Sequence, residues 1–478
     1  MSSRKGSADL GQAKVVMVES KMDSEDNRLA TAQMMSEEAF LDAETRLKRK
    51  LDLRLLACVW LIFVMNYLDR NNIAAAKVAG IATSLKLTSN EYATAVAILF
   101  AGYVLMQIPS NVFLAHLRPS IYLPTCMAIW GVLSILTGVV QNAAGLYAVR
   151  FLLGFVEAAF YRSAFSGLIG AGIQHGLDGA RGLEAWRWLF FIEGSITVVI
   201  ALLSFFVLPD WPSTTRWLSP TERAVAEWRL IGDAGQVDED DERWSYGFKL
   251  TFKDWRVYIF ASMFFCLQVA SATSNFFPSV VQTLGYGRVT TLLLTAPPYF
   301  LGLIISIANN WSADRRNNSS FHVMWPLFLA IIGFVIGAAT VNTGARYMAM
   351  MLMVAGGHGS NAVVLAWTQK TMLRPRIKRA AAVALVNSIG NISQVWTSYL
   401  YPDSEKPRYI LAMSVNSVFA LVTIFLALVM RILLQRANKK LEAGANVANI
   451  MKGEAQSKVA GLSEEERDAR KAAFRYNT

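Results

Sequence analysis

The sequence predicts an all-α membrane protein built as two helical bundles. Three observations carry the prediction. The chain of 478 residues is 54% hydrophobic and only 17% charged, with mean hydropathy +0.34, where a soluble chain would carry nearer a quarter charged residues. Apolar runs of bilayer length, about 20 residues, recur along most of it. A polar loop between Leu208 and Trp255, with Pro209, Pro212, Pro220 and the acidic run Asp238 to Glu242, divides those runs into two groups.

Composition also excludes function classes. The net charge of +11 is concentrated in short loops and juxtamembrane segments, where basic residues set topology, so no nucleic-acid partner is expected. Cys58, Cys126 and Cys266 all lie in apolar runs, which points to neither a disulfide framework nor a zinc site. No phosphate loop, metal cluster or nucleophile–base arrangement argues an enzyme, a metal or a cofactor. No cleavable signal peptide is visible, so the first helix is expected to serve as its own insertion signal.

Taken in order, residues 1 to about 40 are polar and low in aromatics and read as a disordered cytoplasmic tail. Glu44 to Arg54 is basic and reads as a short amphipathic helix on the membrane surface. Apolar segments follow near Leu53–Leu68, Tyr92–Leu114, Ile121–Val140, Leu146–Ile173 and Trp188–Leu208. After the polar loop come Trp255–Val281, Leu292–Trp311, Val323–Val341, Met348–Thr368, Ala380–Leu400 and Ile410–Leu434. Asn438 to Thr478 is a polar tail. The expected organisation is therefore a cytoplasmic N-terminal tail (1–50), a first bundle (51–208), a cytoplasmic central loop (209–254), a second bundle (255–435) and a cytoplasmic C-terminal tail (436–478).

The fourth run is too long for one span and too short for two. Arg118 and Arg216–Arg229 both belong in the cytoplasm by the positive-inside rule, yet three runs separate them. Leu146–Ile173 must then count as two passes or a re-entrant hairpin. Ser163 and Gly167, Gly170 and Gly172 mark a kink or the remnant of a second helix. The first bundle, residues 54–208, is also some 25 residues shorter than the second, residues 255–434, although bundles related by an internal repeat should match in length.

Several stretches together resemble the major facilitator superfamily, and within it the anion:cation symporter group, in the fungal allantoate and nicotinate permease branch. They are Lys50-Leu51-Asp52-Leu53-Arg54-Leu55, Asn66-Tyr67-Leu68-Asp69-Arg70-Asn71-Asn72, Gln107-Ile108-Pro109-Ser110-Asn111, Arg118-Pro119-Ser120-Ile121-Tyr122-Leu123-Pro124 and Arg150-Phe151-Leu152-Leu153-Gly154-Phe155-Val156-Glu157-Ala158. Later come Trp186-Arg187-Trp188-Leu189-Phe190, Leu294-Thr295-Ala296-Pro297-Pro298-Tyr299, Ala313-Asp314-Arg315, Ser398-Tyr399-Leu400-Tyr401-Pro402 and Phe474-Arg475-Tyr476. The resemblance runs from about Arg46 to Tyr476 and implies a major facilitator fold of two six-helix bundles. The chain departs from the family pattern where the topology count fails. Phe160-Tyr161-Arg162 runs almost straight into Ser166-Gly167-Leu168-Ile169, so helices four and five are truncated or merged, about 30 residues short of the expected repeat.

Charged residues inside the spans carry the functional reading. Asp69-Arg70 closes the first apolar run. Arg150, Gly154 and Glu157, spaced i, i+4, i+7, share one helix face. Each such charge costs about 2.5–3.5 kcal/mol at a helix centre on insertion scales, so it is kept for a reason. A desolvated acid can load and release protons near neutral pH, and arginine offers a planar fork to a carboxylate. The resemblance implies the same division: carboxylates Asp69 and Glu157 for proton coupling, Arg70 and Arg150 for an anionic substrate. The alternative is a pair of structural ion pairs. Glu193 reads as structural or gating. Tyr67, Asn275, Asn361, Asn387 and Asn391 are further substrate candidates, with interhelical hydrogen bonding as the alternative for the amides and packing for Tyr67; Trp367 reads as packing, with cavity lining as the alternative, and His358 as structural, with a proton relay as the alternative. Arg118, Asp314 and Arg315 resemble the family's gating elements. Asn317-Asn318-Ser319-Ser320 matches a glycosylation pattern but lies on the cytoplasmic side. The expectation is a proton-coupled symporter of a small organic anion, a carboxylate such as allantoate, nicotinate or a related vitamin, in the plasma membrane. Its partners would be that anion, protons and the lipid bilayer. The competing expectation is a transport-dead or sensor-type membrane protein, because of the shortened fourth run.

Overall fold

The computed structural model describes residues 35–158, 180–210, 214–215, 217–234, 244–372 and 376–442, and all their regular structure is helical. They fall into two compact units. One lies within Met1–Trp60, Arg118–Tyr122 and Leu203–Glu239; the other within Leu61–Leu117, Leu123–Leu202 and Asp240–Thr478.

In the first unit, α1 (Glu37–Leu51) starts at Ser36, whose hydroxyl accepts from the Ala39 N–H. Acidic residues occupy its first turn and Lys48, Arg49 and Lys50 its last, which suits the helix dipole at both ends. The helix therefore begins before Phe40, inside the segment expected to be disordered. Its apolar stripe faces protein: Ala43 and Leu47 are buried against Leu218 and Val225 of the central loop, the latter on α7 (Pro220–Ala234). Lys50 to Glu222 (2.7 Å) and Arg229 to Glu44 (2.5 Å) close the edges of this pair, and Arg54 lies over the Trp217 ring. The amphipathic pattern was legible in the sequence; which surface it meets was not.

The second unit holds the remaining long helices: α2 (Ala57–Val78, its first turn in the other unit), α3 (Ser89–His116), α4 (Pro119–Thr137), α5 (Ala143–Glu157) and α6 (Ala185–Val207). After α8 (Trp244–Lys253) come α9 (Trp255–Ala270), α10 (Arg288–Arg316), α11 (Ser319–Ala339), α12 (Thr343–Thr371), α13 (Arg376–Thr397) and α14 (Ile410–Glu442). Seven stretches of described helix are long and apolar enough to cross a bilayer by length and composition: α4, α6, Trp255–Gln282, α10, α11, α12 and most of α14. Large apolar side chains such as Ile307, Phe328 and Phe425 stand exposed along these helices, as a lipid-facing surface requires. The expected kink or second helix at Ser163 and Gly167–Gly172 lies outside the described residues.

Packing follows the small residues. A Cβ on Gly154 of α5 would collide with the Leu99 carbonyl of α3, and one on Gly102 with that of Phe151, so these two helices touch backbone to backbone. Gly356 of α12 meets the Pro326 carbonyl of α11 in the same way. A core of Phe260, Phe264, Leu327, Trp367 and Val386 joins α9, α11, α12 and α13, with Phe260 and Trp367 edge to face at 5.3 Å. Caps set the boundaries. Thr88 and Glu91 form a capping box on α3. Asn317 ends α10 in the left-handed region (φ 47°) and Asn318 accepts from the Phe321 N–H at the start of α11. The would-be glycosylation motif is a pair of helix caps.

Candidate functional site

The described residues bring two polar clusters into the helical interior of the second unit. The first is acidic and belongs to α2, α4, α5 and α6. Asp69, Arg150, Glu157 and Glu193 are 1%, 1%, 0% and 0% exposed. Ser134 Oγ donates to Asp69 Oδ1 at 2.5 Å. Asn72, one helical turn after Asp69, donates through its Nδ2 to Asp69 Oδ1 (3.3 Å) and to Glu193 Oε2. Arg150 and Glu157 both act on Asp69 through space, with opposite sign, and Arg150 Nε donates to the Ala95 carbonyl at 3.4 Å. The face shared by Arg150, Gly154 and Glu157 is thus the face of α5 that rides on α3. The side chains of Tyr67 and Arg70 lie outside the described residues.

The second cluster is made of amides. The helix that begins with α9 breaks at Ser271: a 3₁₀ segment, Ala272–Phe276, separates it from Phe277–Gln282. The break frees backbone groups, and Tyr299 Oη donates to the Ser274 carbonyl. Interrupted membrane helices are where transporters place their binding groups. Here Asn275 Nδ2 donates to Gln394 Oε1 (2.6 Å), Gln394 Nε2 to the Gln268 carbonyl (2.9 Å), and Asn361 Nδ2 to Gln268 Oε1 (3.1 Å). Asn391 Nδ2 donates to the Asn387 carbonyl (2.8 Å) and side chain, and Asn387 Nδ2 and Asn391 Oδ1 have no partner among the described residues. Ser388 Oγ of α13 donates to Gln107 Oε1 of α3 at 3.1 Å, tying the two halves of the chain together.

Of the sequence-predicted residues, the structure gathers Asp69, Arg150 and Glu157 in one place and Asn275 and Asn361 in another, linked through Gln268 and Gln394. Asn387 and Asn391 pair with each other. Sequence reasoning missed Gln268, Gln394, Asn72 and Ser134; each is one polar residue in an apolar helix, the same signal that singled out the asparagines. Trp367 is packed in the core. His358 Nδ1 donates to the Val354 carbonyl of its own helix and its ring meets Tyr299 edge on.

The gating candidates are dispersed. Asp314 pairs with Lys370 of α12 at 2.6 Å, while Arg315 lies over the Trp311 ring at 5.4 Å. Arg118, in the first unit, is exposed and lines a cavity of about 610 Å³ with Phe205, Phe206, Asp210 and Trp217. The local sequence around Arg118 lacks an acid. The fold supplies one: Asp210 accepts from the Ser120 N–H at the start of α4.

At the end of α2, Lys77 pairs with Asp403 at 3.4 Å and Ser89 Oγ donates to the same carboxylate at 2.8 Å. Thr94 and Tyr399 hydroxyls meet at 3.0 Å, and Phe276 stacks on Tyr401 at 4.8 Å. Partial burial raises the affinity of Asp403 for a proton, but hydrogen bonds from Lys406 and Ser89 and the charge of Lys77 outweigh it and hold the carboxyl down at about 2. At this end the helices of the two halves are latched.

This arrangement has relatives. The Major Facilitator Superfamily model matches residues 59–166 and 163–398. An MFS-type transporter, efuF, from Hormonema carpetanum is 29% identical over 419 residues, 80% of this chain and 83% of that one. The major facilitator-type transporter hxnP of Emericella nidulans is 28% identical over 447 residues, 85% and 89%. The MFS transporter prlL of a fungal species is 31% identical over 388 residues, 73% and 78%. In fold, the chain is similar to a bacterial homologue of the human lysosomal transporter Spinster in an inward-facing conformation (TM-score 0.59, 13% identity, 79% of this chain and 96% of that one). It is also similar to a D-xylose–proton symporter (TM-score 0.56, 13% identity, 77% and 97%). Apolar helices, buried charges in the first half, a broken helix in the second and a family match over most of the length converge: this chain belongs to the Major Facilitator Superfamily and is a multi-pass membrane transporter.

Proposed function

We propose that the chain is a proton-coupled symporter of a small organic anion, of the kind carried by allantoate and nicotinate permeases, working by alternating access in the plasma membrane. The observation that carries this is the convergence of Asp69, Arg150 and Glu157 at near-zero exposure. Buried like charges within electrostatic range of each other are relieved when one carboxyl takes a proton, and the arginine is then free to receive a carboxylate. The amides around Gln268 and Asn361 supply neutral hydrogen bonds from the opposite half. That one solved neighbour in fold is named a proton symporter is in keeping with the reading.

The test is uptake of radiolabelled nicotinate and allantoate into cells or proteoliposomes across a range of outer pH. Uptake should rise as the outside is acidified. Glu157→Gln should leave residual exchange that no longer follows the proton gradient, and Arg150→Ala should weaken substrate binding by tenfold or more, the cost of removing a charged hydrogen-bonding partner being about 1.5–3 kcal/mol. Uptake indifferent to outer pH removes proton coupling.

A specific observation favours a second reading, a protein that binds without flux. The family match breaks into two pieces that meet at 163–166, where the sequence runs short. The alignments of 419, 447 and 388 residues each exceed the 80%, 85% and 73% of this chain they take in by some tens of positions. A first half lacking those positions would lose part of its rocking bundle. Binding measured by tryptophan fluorescence or calorimetry, with no uptake by the same preparation, would support it.

A further inference from the structure

Glu193 sits in α6, in Phe191-Ile192-Glu193-Gly194, and no role in the proposed transport cycle has yet been given to it. Its surroundings are unusual for a carboxylate. It is fully buried. Its Oε2 accepts from Asn72 Nδ2, and its Oε1 has no hydrogen-bond partner among the described residues. The same Asn72 amide group donates to Asp69, whose Oδ1 also takes the Ser134 hydroxyl and whose Oδ2 likewise has no partner among the described residues. One amide thus joins two carboxyl groups from two helices.

The helix contacts close this place off. A Cβ on Gly194 would meet the Gly131 carbonyl and Ile135 at 2.8 Å, and one on Gly131 would meet Val198 Cγ2 at 2.8 Å. Helices α4 and α6 therefore touch backbone to backbone beside Glu193. The described charged groups facing the pair come from α5: Arg150, attractive to Asp69, and Glu157, repulsive. From α4 comes only the neutral Ser134. Arg187, on the same helix as Glu193, is engaged by the Gly138 and Val140 carbonyls. Two carboxylates sharing one neutral donor, with one cation and a third acid nearby among the described residues, are relieved when one of these acids takes a proton.

We propose that Glu193 and Asp69 form a single proton-holding pair joined through Asn72, so that Glu193 is a proton-coupling residue alongside Asp69 and Glu157. The pair binds a proton on either carboxylate oxygen and releases it as H⁺; only an O–H bond forms and breaks. Asn72 positions the two groups and the Ser134 hydroxyl holds Asp69 Oδ1 in place. The place of the pair in transport rests on the symport reading; its existence rests on geometry alone.

The test is infrared titration of carboxyl C=O bands in the full-length protein in lipid nanodiscs, from about pH 4 to about pH 9 where buried acids titrate. Carbon-13 glutamate labelling would separate Glu from Asp. The wild type should show a buried Glu band and a buried Asp band titrating in two linked steps, because sites that interact strongly titrate as a pair. Glu193→Gln should remove the Glu193 component of the Glu band and move the Asp band at least about one pH unit below the upper wild-type step, a tenfold loss of proton affinity. Asp69→Asn should do the same to the Glu band, and either variant suffices if the other does not fold. Independent single-site curves in the wild type, or a partner band unmoved by both variants, overturn the pair. Uptake indifferent to pH with the linked titration intact removes the symport reading and leaves the pair. Proton-driven uptake with unlinked titrations does the reverse.

Discussion

Glycine 154 shows how one residue fixes the geometry of the acidic cluster. The Cβ of an alanine there would collide with the Leu99 carbonyl, so α5 can approach α3 closely only because the side chain is absent, and the approach places Arg150 against the backbone of α3 at the Ala95 carbonyl. Gly154→Ala should force the helices apart at a cost of about 1–3 kcal/mol, the usual range for overpacking, seen as a lower midpoint in a thermal scan of the detergent-solubilised protein. A variant that melts with the wild type would mean that α3 and α5 are not in backbone contact. Lys378 makes the same point for charge. In sequence it belongs to a basic run that sets topology. In the fold it is fully buried against Asp254 at 2.8 Å, and Arg256 holds the same carboxylate at 2.6 Å, an ion knot joining the start of α9 to the start of α13.

At the scale of elements, two contacts invite measurement. The latch at Asp403 joins the end of α2 and start of α3 to the segment after α13. Its carboxyl is depressed from 3.8 to about 2. A group whose folded value is depressed contributes stability above its unfolded value and loses it as pH falls through the folded one. The latch is therefore fully formed from about pH 4 upward and weakens only near pH 2. Val96 is buried on α3, two residues after Thr94, and the rate at which a membrane-impermeant thiol reagent labels Val96→Cys should not change between about pH 5 and about pH 8 on the latch's account. Adding Asp403→Asn should speed that labelling by less than about fivefold, since an exposed ion pair is worth at most about 1 kcal/mol. A pH-sensitive rate that Asp403→Asn abolishes would contradict this. The second contact is α1 on α7. Leu47→Ala should remove about 2 kcal/mol or more of packing, and tryptic cutting at Lys48, Arg49 and Lys50 should quicken at least tenfold as the helix opens locally. Unchanged cutting would mean that α1 does not need α7.

For the whole molecule the open question is the junction between the two family-matched pieces. Sequencing the transcript across the codons for Phe160 to Ser166 decides it. A longer message restores the expected helix pair, and pH-dependent uptake should then be found in cells expressing the longer chain. A message that matches this sequence makes the short junction real, and binding without flux becomes the expected result. The overall architecture was legible because the bilayer imposes it: runs of about 20 apolar residues and basic loops on one side follow from lipid thickness and topology rules. The acidic cluster was legible in part, since a charge in an apolar run stands out. Asn72, Ser134, Gln268 and Gln394 were not, because a single neutral polar residue in a membrane helix is common and only its partner gives it meaning.

The sequence by itself determined the class, the number and order of apolar runs, the family and the charges of the acidic cluster, though not buried ones such as Lys378. It also located the short junction, because chain length and topology are countable. What only the tertiary structure decided is which groups share an environment. Asn72, beside Asp69, reaches Glu193 across 121 positions of sequence, Asp210 reaches Ser120 across 90, and α1 meets α7 instead of lipid. A helix displays its side chains all around its axis, and the pattern along one strip of chain names the face that must be covered without naming what covers it. That choice is made by the close approach of neighbouring backbones, at places such as Gly131 with Gly194 and Gly154 with Leu99, where packing leaves one arrangement and brings its particular polar groups together.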